Sequence, residues 1–175
     1  LESLLDVRPE RALEILDDYH AFSASAPGTP ALLSYYGAAF RCINPQEFTH
    51  EEFAFAQRQL RIFSALYGLL CPGDGDLPHP PGLKKELLID GQTLYEFWGQ
   101  QLYQALFAET DTVVCLASKE YSRLITPYLK PDDRFINCRF LVQKQGRARG
   151  TVSTVRTARG LMARYIVKNG ITGPE

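Results

Sequence analysis

The chain has 175 residues, and 45% of them are apolar, which fits one domain with a sizeable core and excludes a disordered tail. No apolar run approaches the roughly 18 residues of a membrane span, and no leader-peptide pattern opens the chain, so no membrane partner is expected. The net charge of −1 hides an asymmetry: residues 134–174 hold nine Lys and Arg and no acid, whereas residues 1–133 hold ten basic and nineteen acidic residues, a net of −9. Such asymmetry points to a polyanionic partner. The first residue is Leu1 rather than Met, and the chain reads as a single domain over 1–175 that is a piece of a longer protein.

In chain order, Arg8-Pro9-Glu10 predicts a helix start, with Leu13, Leu16, Tyr19 and Phe22 as its apolar stripe and Pro27-Gly28 as its stop. Pro30 starts a short helix through Tyr36, ended by Gly37. Thr49-His50-Glu51-Glu52 is a capping box, followed by an amphipathic helix with Phe53, Phe55, Ala56, Leu60, Phe63, Leu66 and Tyr67 near one face. Residues 71–82 form a loop rich in Pro, Gly and Asp. A second long helix runs from about Thr93 to Phe107, with Leu94, Phe97, Trp98, Leu102 and Leu106 inward. Thr112–Ala117 is a buried strand, and Ser118 caps a helix over Lys119–Leu129. Phe135–Val142 is a second strand, Gln143–Gly150 a basic turn, and Thr151–Val155 a third strand of β-branched residues. Thr157–Lys168 is a helix closed by Asn169-Gly170. Helices first, then a strand-and-helix half, predict an α+β fold: N-terminal helices followed by a small mixed sheet backed by helices.

Four cysteines, Cys42, Cys71, Cys115 and Cys138, include no close pair, so a zinc site or a redox motif is unsupported. Cys115 and Cys138 lie in apolar runs and read as buried thiols, which suits a reducing, cytoplasmic compartment. Three His with no ligand spacing give no metal site, and no cofactor is expected.

The basic stretch is the main chemical signal. Lys144, Arg147, Arg149, Arg156, Arg159, Arg164 and Lys168 are the candidate phosphate contacts, since Lys and Arg displace counterions from nucleic-acid backbones. Arg156 and Arg159 fall near the predicted start of the last helix, whose free N–H groups also favour phosphate. The alternative for all of them is a solvated face, or pairing with the acidic half. Tyr67, Tyr95, Trp98 and Tyr103 could stack on bases or pack in the core. Leu66-Tyr67-Gly68-Leu69-Leu70 loosely resembles the hairpin of helix-hairpin-helix DNA binders. Ser118, at a strand end before a helix, has the placement of a nucleophile without its glycines or a following His; Glu120 and Tyr121 could line a pocket there.

Five stretches taken together resemble the YaaA family of peroxide-stress proteins: Phe53-Ala54-Phe55-Ala56-Gln57, Ser64-Ala65-Leu66-Tyr67-Gly68-Leu69-Leu70, Leu94-Tyr95-Glu96-Phe97-Trp98-Gly99, Leu116-Ala117-Ser118-Lys119-Glu120-Tyr121, and Ala158-Arg159-Gly160-Leu161-Met162-Ala163-Arg164-Tyr165. The resemblance implies a cytoplasmic protein that protects cells from hydrogen peroxide by limiting free intracellular iron. It also implies binding of double-stranded or distorted DNA through a positive cleft and a helix-hairpin-helix element on an unusual mixed, cantaloupe-type fold. An early Ser-Pro-Ala-Lys motif of the family is absent from the chain. The family's Arg-Leu-Glu-Met-Gly motif is replaced by Pro80-Pro81-Gly82-Leu83-Lys84-Lys85-Glu86-Leu87, so nothing resting on that Arg and Glu carries over. Two functions follow from the residues: a DNA-binding protein, or an enzyme acting on a nucleotide or phosphorylated small molecule with Ser118, Glu120, Tyr121, Arg159 and Arg164 in its pocket. A stripe of positive charge favours the first; a closed pocket with Glu120 facing Arg159 favours the second.

Overall fold

The computed structural model describes residues 8–10, 13–14, 17, 28–76, 88–144 and 147–174, with only the backbone at 76, 143–144 and 147–149. Pro9, Glu10, Leu13, Glu14 and Asp17 are helical, as expected, although Leu13 faces solvent rather than a core. The rest of that helix and the substituted 80–87 segment lie outside the described residues.

Strand β1 (Thr29–Pro30) leads into helices α1 (Ala31–Ser34) and α2 (Ala38–Ile43). Helix α3 (His50–Gln59) starts at the predicted capping box: Thr49 Oγ1 accepts from the Glu52 N–H at 3.2 Å, and Glu52 accepts from the Thr49 N–H at 2.8 Å. The helix does not continue through Tyr67 as its apolar period suggests. Arg61 folds back and donates to the carbonyls of Gln57, Arg58 and Leu60, satisfying the helix end. Strands β2 (Ile62–Ser64) and β3 (Gly68–Leu70) then form an antiparallel hairpin. Ser64 Oγ accepts from the N–H groups of Leu66 and Tyr67 inside the turn. Gly68, at φ +75°, closes it; a Cβ there would meet Leu102 at 2.7 Å and the Trp98 ring at 2.9 Å. The Leu-Tyr-Gly stretch is therefore a β-hairpin turn and does not join two helices.

After β4 (Gly75–Asp76), strands β5 (Leu88–Ile89) and β6 (Gln92–Thr93) lead to helix α4 (Leu94–Trp98), capped reciprocally by Thr93 and Glu96. Gly99, at φ +49°, separates α4 from α5 (Gln101–Phe107), so the predicted single helix is two. Leu94, Leu102 and Leu106 are buried as expected, while Phe97 is largely exposed. Strand β7 (Thr112–Cys115) pairs in parallel with β8 (Arg134–Asn137), bringing Cys115 opposite Asn137. The crossover between them holds the single-turn helix α6 (Lys119–Ser122) and a 3-10 turn at Thr126–Tyr128 in place of one longer helix.

Strand β8 stops at Asn137, so the predicted run to Val142 is broken. Strands β9 (Val142–Lys144) and β10 (Arg147–Arg149) form a separate antiparallel hairpin. Thr151–Val155 is not a strand: Thr151 and Thr154 form a reciprocal cap that starts helix α7 (Val152–Lys168). Here the cap overrides the β-propensity of Val and Thr. The helix ends at Asn169-Gly170, as predicted. The fold is α+β, and its small sheets are two-stranded among the described residues.

Two apolar clusters meet at the β2–β3 hairpin. One gathers Leu32, Ile43, Ala56, Ile62, Leu70, Ala163 and Val167; the other gathers Ala65, Leu94, Leu102, Leu106, Leu124 and Ile125. The most extensive packing between elements is that of α2 on α7. Gly160, Ala163 and Val167 form the buried stripe of α7 at helical spacing. A Cβ on Gly160 would lie 2.1 Å from the Ala39 carbonyl oxygen, so the two backbones touch at this point. Helix propensity alone would favour Ala over Gly by about 1 kcal/mol. Because the new methyl meets backbone, Gly160→Ala is expected instead to destabilise the protein by about 2 kcal/mol, seen as a lower denaturation midpoint at unchanged slope. Stability equal to or above the parent's would contradict the α2–α7 contact.

Candidate functional site

Ligands in sheets with parallel strands are bound beyond the strands' C-terminal ends. At that end of the β7–β8 pair, the structure has a cleft of about 440 Å³. Ala117 follows β7, and Asn137 and Cys138 close β8. Lys119 and Ser122 come from α6, Arg123 follows it directly, and Val155 and Arg159 come from the first half of α7. Phe140, Leu141 and Gly150 form the rim from which the β9–β10 hairpin departs.

The cleft's charge is of one sign. Lys119, Arg123, Arg139 and Arg159 line it and no carboxylate does. None of the four is in an ion pair among the described residues. Arg123 lies over the Tyr95 ring at 5.0 Å, which leaves its charge available at the cleft edge. The Nε of Arg159 is buried and has no hydrogen-bond partner among the described residues. A buried N–H without an acceptor is costly, and the residue that carries it lines the cleft. Burial pushes the Cys115 thiol up, opposed by the Ala117 backbone N–H and the nearby Arg159 charge. Cys115 is buried as expected. Cys138 is half-buried rather than buried, because β8 ends one residue before it and the chain turns along the cleft.

The predicted phosphate contacts divide into three groups. Arg159 lines the cleft, and Arg156 is exposed nearby on α7. Since α7 starts at Val152, both lie beyond its free N–H groups rather than beside them. Lys144, Arg147 and Arg149 lie in the β9–β10 hairpin that leaves the cleft rim. Arg164 and Lys168 are engaged with the acidic half. Arg164 donates to the carbonyls of Ile43 and Asn44 at 2.9 and 3.1 Å and pairs with Glu47. Lys168 pairs with Glu52 at 2.7 Å and donates to the Glu47 carbonyl at 3.0 Å. The Lys168 bond, with help from the Thr49 N–H, holds the Glu52 carboxyl below its usual range.

The residues considered for an enzymatic pocket do not converge. Arg159 is in the cleft, Arg164 is bonded to the end of α2, and Glu120 is exposed and outside the cleft lining. Ser118 occupies the N-cap position of α6, but its side chain makes no capping hydrogen bond. Its half-buried hydroxyl is not part of the cleft lining. The aromatic candidates are packed. Trp98 Nε1 donates to the Ala65 carbonyl at 3.0 Å, and Tyr95 donates to the Glu120 carbonyl at 3.0 Å. Buried Tyr103 donates to Asp133 at 2.8 Å, and Tyr67 packs on the first apolar cluster. Tyr121 stacks on Phe63 with ring centres 6.2 Å apart. Lys119, Arg123 and Arg139 were absent from the predicted contacts. The first two precede the acid-free stretch and reach the cleft only through the parallel pairing of β7 and β8.

Burial, with the Glu120 charge adding to it, pushes the Tyr121 hydroxyl up to about 12 from the ordinary value of 10. A group raised in the folded state contributes stability that is fully present below pH 10 and is lost as pH rises through about 12. A phenolate absorbance titration is expected to show a late step near pH 12 that coincides with loss of structure and is absent in Tyr121→Phe. Complete tyrosine ionisation near pH 10 in a still-folded protein would contradict the packing of Tyr121.

Comparison with known proteins places the chain in a family. The model described as peroxide stress protein YaaA matches residues 1–175. A UPF0246 protein of Ligilactobacillus salivarius (strain UCC118) is 42% identical over 144 residues, covering 82% of this chain and 58% of that protein. A UPF0246 protein of Lactobacillus johnsonii is 43% identical over 148 residues, covering 84% of this chain and 59% of that one. A third, from Limosilactobacillus fermentum, is 39% identical over 168 residues, covering 95% and 68%. The chain therefore spans under two thirds of the length of the first two of these relatives. On this match, and on the five stretches now located around one α2–α7 junction, one hairpin and one cleft, the chain belongs to the peroxide stress protein YaaA family.

Proposed function

We propose that this protein binds double-stranded or distorted DNA in the hydrogen peroxide stress response and helps to limit free intracellular iron. The observation that carries the reading is the acid-free cationic surface. Lys119, Arg123, Arg139 and Arg159 line one cleft, exposed Arg156 lies beside it, and the hairpin bearing Lys144, Arg147 and Arg149 leaves its rim. Arg164 and Lys168 are excluded from this surface by their bonds to Glu47 and Glu52. Clustered positive charge of this kind attracts phosphate backbones at long range and releases counterions on contact. Among the described residues, no three His, Cys, Asp or Glu side chains gather as metal ligands. The reading therefore assigns iron limitation to an effect of DNA binding rather than to chelation by these residues.

Replacing Arg139, Arg147, Arg149 and Arg156 singly with Ala is expected to weaken binding to a similar degree for unrelated DNA sequences, because phosphate contacts position without reading bases. Each lost contact is expected to make the dependence of log affinity on log salt shallower by about one unit. Arg164→Ala is expected to lower stability and leave that slope unchanged. A quadruple variant with the parent's affinity and salt dependence would overturn the reading.

A further inference from the structure

We propose that the cleft beyond β7 and β8 receives one nucleotide carrying a phosphate monoester, with the phosphate on Arg159 and the base against Phe140 and Leu141. The inference rests on the DNA-binding reading and names what enters its cleft; the same chemistry is offered by a free nucleoside monophosphate or by a 5′-phosphorylated DNA end.

Size is the first argument. A volume of about 440 Å³ lies in the range of small-molecule pockets, roughly 300–1,000 Å³. It matches a single nucleotide and is too small for a duplex. Position is the second. The buried Arg159 Nε lacks an acceptor. Arg159 itself lines the cleft, so a terminal phosphate inserted end-on would meet its guanidinium through the nitrogens other than Nε. Arg139, Lys119 and Arg123 stand around the same space and would neutralise the doubly charged monoester. Polarity is the third. Phe140, Leu141 and Val155 line the same cleft, and Leu141 is largely exposed. A lining that mixes cations with apolar side chains suits a ligand with an anionic end and a flat apolar face, which a nucleotide has and inorganic phosphate has not.

Cys138 lines the cleft, and its half-exposed thiol is a built-in reporter. The test follows Cys138 alkylation by iodoacetamide, site by site, in the presence of thymidine 5′-monophosphate, thymidine, or inorganic phosphate. The monophosphate is expected to slow Cys138 alkylation while leaving Cys71 unaffected, and thymidine at equal concentration to have little effect. Inorganic phosphate should protect more weakly than the monophosphate. Arg159→Met is expected to weaken the protection by roughly 10- to 100-fold, as loss of a charge-assisted contact does. Because a substitution at half-buried Arg159 can fail to fold, the exposed pair Lys119→Ala and Arg139→Ala is tested alongside and is also expected to weaken protection. Oligonucleotide duplexes with a 5′-phosphate or a 5′-hydroxyl identify the source: protection by the phosphorylated duplex alone marks a DNA end, and protection by the monophosphate without either duplex marks a free nucleotide. Absence of protection by the monophosphate, equal protection by thymidine, or undiminished protection in both the folded Arg159 variant and the Lys119/Arg139 variant would overturn the proposal. Salt-dependent duplex binding would persist in that event, so failure of the cleft assignment is separable from failure of the DNA-binding reading.

Discussion

The contact between Gly160 and the Ala39 carbonyl fixes where the last helix lies, and with it the site. At this crossing the absence of one side chain lets α7 rest on the backbone of α2. One turn further on, Arg164 completes the joint. Its guanidinium caps the carbonyls of Ile43 and Asn44, where α2 ends in a left-handed residue at φ +48°, and pairs with Glu47. Lys168 repeats the pattern with Glu47 and Glu52, at the start of α3. A helix fixed at this end projects its other end, with Val155 and Arg159, over the ends of β7 and β8. Packing and site are thus set by adjacent residues: Gly160 faces α2 while Arg159 faces the cleft.

The same joint sorts the charges. The acid-free stretch would be a uniform cationic surface if no acid reached it. In the folded chain, Glu47 and Glu52 draw off Arg164 and Lys168. Apart from Arg134, at the far end of β8, what remains lies around the cleft and in the hairpin that leaves its rim, joined by Lys119 and Arg123 from the acidic half of the sequence. Four cations sharing one concave space raise the local potential more than the same charges spread over a convex face. The exposed ion pairs themselves contribute little stability; their consequence is where the free charge is left.

Much of this was legible in the sequence, and the failures have physical causes. The capping box at Thr49, the strand at Thr112, the stop at Asn169-Gly170 and the α+β class follow from local signals that the structure keeps. The apolar period from Phe53 to Tyr67 misled, because Ile62, Phe63 and Leu66 fit either a helix face or a hairpin. The deciding groups, the Arg61 guanidinium and the Ser64 hydroxyl, bond to backbone in ways that periodicity does not register. Thr151–Val155 misled because the cap uses Thr154 where a Glu is the usual signal. The basic stretch divides in the folded chain between the cleft, the β9–β10 hairpin and the joint with α2 and α3. Nothing local distinguishes Arg159, which meets a cleft, from Arg164, which meets a helix end; only the orientation of α7 does. Lys119 and Arg123 could have been found from one clue, a strand followed at once by a basic helix start, taken with the rule that parallel strands gather ligands at that end.

The central claim is that DNA meets the protein at the cleft and the hairpin on its rim. Backbone hydrogen exchange, resolved by peptide and measured with and without duplex, tests this most directly. Slowed exchange confined to residues 117–123 and 137–151 is the predicted result, with the α2–α3 surface unchanged. Protection centred on α2 and α3, or duplex binding with no change around the cleft, would contradict it.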